Sequence, residues 1–233
     1  MSLHVSLYQM ALLLDCSNVT YGHLESFCFL FFVDMCGQIL VFPEETKTAH
    51  VTLTTSEQTF SAVTVCLRRQ HSLFSLATPS HKNAFLLLKP AAHDVIVLNV
   101  QNVRIQFKAQ QYKLNDWQSI CATWDSTSGL AQLWLNGKPS IKKYVGGSQI
   151  QNPSTILGQM SLIDKHTGFL WQFFQEAVFC WHDVYMWNYV LPPCEIQNYM
   201  DVLAFKPGNL INWKGLHSNI LGNVQARPYT QCS

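Results

Sequence analysis

An antiparallel β-sandwich is the fold class that this sequence predicts, and three observations predict it. From Val33 onward, short runs rich in β-branched and large apolar residues recur at roughly even spacing, parted by turn formers and with no long helical pattern between them. The run Val103-Arg104-Ile105-Gln106-Phe107-Lys108 alternates apolar and polar residues, as a strand with one solvated face requires. Asn136-Gly137 stands between apolar residues, and both tolerate the positive φ of a tight hairpin turn. At 233 residues the chain can bury one good core, and sandwiches of this size commonly remain single domains.

The clearest strand runs are 51–53, 62–67, 73–76, 85–88, 95–100, 103–107, 119–123 and 131–135. Residues 119–135 read as a hairpin: Cys121, Thr123 and their apolar neighbours suit a pleated surface, Asp125 to Gly129 form a polar turn, and Leu133 to Leu135 resume the strand. One helix is expected after Pro192-Pro193, because proline suits a helix start, where the missing N–H has no partner anyway. Ile196, Tyr199, Met200 and Leu203 then recur at helical spacing until Lys206-Pro207-Gly208 stops the run.

Composition excludes several function classes. Charged residues are 12% of the chain and the net charge is +1, so no whole-molecule field attracts polyanions and no nucleic-acid partner is expected. Eight cysteines fit an oxidising compartment, and none of their spacings is that of a zinc ribbon. No Gly-x-Ser-x-Gly, phosphate loop, dinucleotide fingerprint or His-Glu-x-x-His occurs, so a non-enzyme is expected. His93 precedes Asp94 and His182 precedes Asp183, but adjacent strand residues point to opposite faces, and neither pair is expected to form a dyad.

The segment Ile120-Cys121-Ala122-Thr123-Trp124-Asp125-Ser126 resembles the pentraxin signature, His-x-Cys-x-Ser/Thr-Trp-x-Ser. Cys121, Thr123, Trp124 and Ser126 match, while Ser119 stands at the histidine. Ile39-Leu40-Val41-Phe42-Pro43 resembles the family's opening strand, and Val65-Cys66-Leu67-Arg68 the strand with its first cysteine. Ser72 to Ser75, Leu157-Gly158-Gln159, Asp183 to Trp187 with Leu191-Pro192-Pro193, and Asn212-Trp213 have counterparts in the same order. The resemblance covers about residues 33–228 and is to the short pentraxins.

Membership implies a two-sheet jelly-roll sandwich with one short helix on a face, and a disulfide between Cys66 and Cys121. Cys16, Cys28, Cys36, Cys180, Cys194 and Cys232 have no family counterpart; a free buried thiol is expected for Cys180, and Cys232 is placed to link chains. The family also implies a secreted, calcium-dependent recognition protein of innate immunity, lectin-like in capturing phosphorylated or carbohydrate ligands, and a cyclic pentamer as homo-oligomer. In the segment before Asp183, Phe179 and His182 replace small family glycines, so local repacking is expected.

The calcium ligands carry over poorly. Calcium needs several oxygen donors with carboxylates among them, yet the family's Asp-Asn pair is Lys82-Asn83 here, and its Glu-Gln-Asp cluster aligns with Met160-Ser161-Leu162. A shifted gap brings Asp164 to the aspartate position, and Gln175 matches the last family ligand. Asn83, Asp164 and Gln175 are then the surviving metal candidates, against Lys82, Met160 and Leu162, which depart from the family's ligands. The ligand pocket is altered too: a leucine and two tyrosines wall it in the family, and Leu86, Leu88 and Leu98 stand there. The alternative expectation is a degenerate pentraxin that keeps the fold and has lost calcium-dependent binding.

Residues 1–32 read as a poor or altered leader outside the fold, and 33–233 as the pentraxin domain. The apolar runs 10–14 and 27–33 lack a basic flank or a clean cleavage site, and neither reaches the ~20 residues of a membrane span. The sequon Asn18-Val19-Thr20 lies in this segment, and proline excludes Asn152-Pro153-Ser154.

Overall fold

The structure is a computed structural model that describes residues 35–43, 49–55, 57–69, 73–90, 95–108, 111–113, 116–157 and 179–229. The expected leader, with Cys16 and Cys28, lies outside the described residues.

Two antiparallel sheets carry the fold. In spatial order the first holds β11 (Lys138–Pro139), β10 (Leu130–Leu135), β9 (Gln118–Asp125), β4 (Ala62–Arg69), β15 (Phe179–Trp187), β1 (Gln38–Phe42) and β17 (Gln225–Pro228), with β12 (Lys143–Tyr144) also on β10. The second holds β16 (Ser218–Leu221), β2 (His50–Leu53), β14 (Ser154–Leu157), β5 (Leu73–Ala77), β6 (Phe85–Leu88), β7 (Val95–Val100) and β8 (Val103–Lys108). A small ribbon pairs β3 (Thr59–Phe60) with β13 (Ile150–Gln151).

Alternation decides which residues meet between the sheets. Val65, Ala122, Leu133 and Met186 sit side by side across the first sheet, and Val51, Leu157, Phe74, Leu87 and Leu98 across the second. All nine are buried in one hydrophobic cluster, so these are the facing surfaces of a sandwich. Trp124 is fully buried and donates its indole N–H to the Gly146 carbonyl at 2.8 Å. At the expected hairpin, Asp125 accepts hydrogen bonds from the amides of Thr127 and Ser128 and from the Ser128 hydroxyl. Asn136 and Gly137 take φ of 48° and 78°, as the sequence predicts for that turn.

Cys66 and Cys121 are directly opposed on β4 and β9 and form the expected disulfide, with Cα atoms 4.1 Å apart. Cys36 is also disulfide-bonded, whereas Cys194 is a free, exposed thiol.

The helix, α1 (Pro193–Met200), covers the face of the first sheet turned away from the core. Its Tyr199 packs edge-on against Tyr185 at 6.1 Å, and Tyr185 is the neighbour of Cys66 across the ladder. Thr64 holds the approach to the helix, donating to the Tyr189 carbonyl at 2.7 Å and accepting from the Leu191 amide at 2.9 Å. The helix ends at Met200, not at Leu203 as the spacing suggests. Val202 takes φ of 59° and donates to the Tyr199 carbonyl, while Leu203 donates to the Asn198 carbonyl. This double closure satisfies the last carbonyls and turns the chain, so Leu203 is exposed.

Glycine is the usual residue at that left-handed closing position, and a β-branched side chain is strained there. Val202 is 71% exposed, so trimming it removes little packing. Val202→Gly is expected to raise unfolding stability by about 1 kcal/mol in urea titration, whereas a loss would mean that the valine makes a contact outweighing its backbone strain.

Candidate functional site

Lys82 and Asn83 lie in the turn that leads into β6, and this turn is tied to the β7–β8 turn. Asn102 donates its amide to the Asn83 carbonyl at 3.0 Å and accepts from the Asn83 amide on Oδ1 at 3.2 Å. The Gln101 amide donates to the Ala84 carbonyl at 3.0 Å. Gln101 and Asn102 themselves take φ of 47° and 68°, a tight turn without glycine. The Gln101 side chain then grips Ser148, donating to its carbonyl and accepting from its amide, each at 2.8 Å. A cleft of about 160 Å³ lies beside this junction, lined by hydroxyls and amides that include Thr78, Ser80, Gln101, Ser148 and Gln149, with His81.

Asn83 Oδ1 is buried and accepts no hydrogen bond. One oxygen therefore stands unpaired where the resemblance places a metal ligand, with Lys82 as its chain neighbour. Among the described residues no group of three or more His, Cys, Asp or Glu side chains is arranged to hold a metal. An amide oxygen beside an ammonium does not fit a tight calcium site, because neither neutralises the ion. Met160, Leu162, Asp164 and Gln175 lie outside the described residues.

The expected pocket wall is brought together in part. Leu86 and Leu88 are buried on the outer face of the second sheet, opposite Asn99 and Val97. Leu98 pairs with Leu87 instead, and strand pairs share a face, so it lies in the core. The two-residue turn at Gln101–Asn102 sets this register, which makes Val97 and Asn99 the strand neighbours of the two outer leucines.

One sequence expectation fails outright. His182 Nδ1 lies 3.1 Å from Asp183 Oδ2, although the two are adjacent on β15. The ladder slips between His182 and Tyr185, Asp183 takes φ of 53°, and the bulge turns both side chains to one side. His182 fills the space with its ring, packing edge-on against Trp117 at 4.6 Å and against Tyr229 at 4.9 Å. Asp183 also faces the Arg68 guanidinium at 3.7 Å, and Arg68 donates to the Tyr199 carbonyl at 2.5 Å. Tyr199 closes the circuit by donating to the Asp183 carbonyl at 2.8 Å.

Burial pushes the Asp183 carboxyl upward, but the His182 hydrogen bond and the charges of His182, Arg68 and Lys214 prevail and hold it below its ordinary 3.8. Burial pushes the Tyr185 and Tyr199 hydroxyls upward, with the Asp183 charge adding to it. His182 is only 9% exposed and in ring contact with Trp117 and Tyr229, so the pair braces helix, sheet and C-terminal segment. Spacing could not reveal it, because a bulge leaves no periodic mark.

Fold and disulfide together define a two-sheet antiparallel sandwich stapled across β4 and β9. The Pentaxin family model matches residues 38–228, and the chain belongs to the pentraxin family. It is 35% identical over 211 residues to jeltraxin of Lepidobatrachus laevis, covering 85% of this chain and 92% of that one. It is 34% identical over 206 residues to C-reactive protein of Sus scrofa, covering 84% and 89%. Among solved structures it resembles a native heptameric SAP-like pentraxin from Limulus polyphemus, with a TM-score of 0.69 at 20% identity over 86% of this chain and 99% of that one. Among the described residues no helix is long and apolar enough to cross a membrane.

Because the folded pKa of Asp183 is depressed, its contribution to stability is complete above the unfolded value near 3.8 and is lost as pH falls through the lower folded value. Asp183→Asn, which also tolerates the positive φ, should lower the melting temperature at pH 6 and narrow its gap to the parent as pH approaches 2. An equal gap at both pH values would show that the carboxylate charge contributes nothing.

Proposed function

We propose that this chain is a secreted, non-catalytic recognition protein of innate immunity that keeps the pentraxin scaffold but has lost tight calcium binding. The observation that carries this reading is Lys82 at the first carboxylate position, next to an Asn83 whose turn is otherwise intact. An ammonium there removes a ligand and adds repulsion. Calcium, where it binds, would be held by Asn83 with Asp164 and Gln175. Phosphorylated or carbohydrate groups are the ligand classes the family suggests, and Leu86 and Leu88 would form the apolar floor beneath them.

Extracellular residence is supported by the Cys66–Cys121 disulfide and by a bonded Cys36, since such bonds persist in oxidising compartments. Homo-oligomerisation is supported by the Limulus relative, which is described as heptameric. A second reading, in which calcium still bridges ligand and protein, is favoured by one feature: Asn83 Oδ1 is buried and unpaired, as a metal ligand would be.

Isothermal titration separates the two. Calcium is expected to bind no tighter than about millimolar, and Lys82→Asp with Met160→Glu and Leu162→Asp is expected to strengthen it. Micromolar binding by the parent would establish the second reading, and no response to the triple change would mean that the loop aligns differently and that Asp164 or a neighbour is the ligand.

A further inference from the structure

Cys36 is disulfide-bonded, and the fold narrows the choice of its partner. Cys66 and Cys121 bond each other, and Cys194 is a free thiol. Cys180 stands opposite Val41 on the ladder between β1 and β15. Cys36 lies before Gln38, itself three residues from Val41 along β1, so roughly 10 Å of strand separates it from Cys180. A disulfide joins Cα atoms no more than about 7 Å apart, which excludes Cys180.

The ladder on the other side of β1 points to the C-terminus. Gln38 stands opposite Pro228, and the Tyr229 amide donates to the Gly37 carbonyl at 2.9 Å. The same register, carried one residue further, would set Cys36 against Thr230, two residues before Cys232. Two residues span at most about 7 Å, so this pairing delivers Cys232 to the start of β1.

The C-terminal strand has reason to be fastened. β17 is a four-residue strand at the rim of the first sheet, paired with β1 alone, and short terminal strands open locally at little cost. Yet it leads Tyr229 onto His182 and Trp117, with ring centroids 4.9 Å and 5.5 Å apart. Trp117 in turn packs on Ile39 and Val41, which are buried apart from the main core. Opening β17 therefore strips the cover from His182, with its partner Asp183, and loosens the support of β1.

We propose that Cys36 and Cys232 close a disulfide that locks β17 onto β1, a redox-controlled clasp whose reduction frees the C-terminal segment. In closing, the two thiols give up two protons and two electrons to a disulfide donor of an oxidising compartment, which leaves as two thiols. A dithiol reverses the step by exchange and ends as a disulfide itself. Cys66 and Cys121 are fully buried, so the clasp at the chain end is reduced before them. Cys232 then serves its own chain and links no neighbour.

The test is peptide mapping of the intact chain, expressed through the secretory pathway and digested without reduction by trypsin together with Asp-N. These proteases cut out residues 34–47 and 215–233, which hold Cys36 and Cys232 as their single cysteines. The two fragments are expected in one linked species, from a chain whose unreduced mass is that of a monomer. Linkage of 34–47 to 15–33, to 166–182 or to 215–233 of another chain overturns the proposal. The lock is read separately, by hydrogen exchange over residues 225–229. Cys232→Ser and Cys36→Ser are each expected to lower protection there about tenfold or more, as is brief reduction that leaves Cys66–Cys121 closed. Should either variant not fold, the briefly reduced parent gives the reading. Unchanged protection overturns the clasp even where the bond is mapped.

Discussion

The cross-strand disulfide between Cys66 and Cys121 is the constraint around which the rest is arranged. It joins strands already paired along eight positions, from Ala62 opposite Asp125 to Arg69 opposite Gln118. Closing a loop over a sequence separation of 55 typically contributes about 2–4 kcal/mol, largely by restricting the unfolded chain. That fixed ladder sets where β15 docks, and β15 brings Tyr185 under the helix and the bulge at Asp183 beside Arg68. The helix, the C-terminal strand and the buried ion pair all refer to this one seam.

Beside that seam, the corner where the resemblance places a metal ligand is an ordered turn. Asn83 and Asn102 exchange hydrogen bonds that fix the turn. What the resemblance implies is lost is a carboxylate, at Lys82, and two phenolic hydroxyls of the pocket wall, where Leu88 and Leu98 stand. Backbone geometry depends on register and turns, which many sequences satisfy, whereas cation affinity depends on a few carboxylates. The two can therefore diverge.

Much of this was legible in the sequence because it is periodic or local. The strand at 103–108, the Asn136-Gly137 turn and the Pro192-Pro193 start each depend on a few residues, and each is found where expected, although Val103 at the strand's start is exposed. What was not legible depends on pairing across the chain. Leu98 changes face because register is set at Gln101–Asn102, a turn without glycine that gives no compositional signal. His182 meets Asp183 because a bulge breaks the alternation that separated them. The helix stops at Met200 because the chain closes on itself at Val202, where a valine disguises a position usually held by glycine.

The central claim is that the pentraxin scaffold persists here without tight calcium binding, and thermal or chemical unfolding in EDTA and in millimolar calcium tests it most directly. A ligand bound only by the folded chain stabilises it by an amount fixed by its affinity. A millimolar site at millimolar calcium adds only about 0.4 kcal/mol, close to no shift, and that is the result the account predicts. A gain of about 4 kcal/mol would require micromolar affinity and would contradict it.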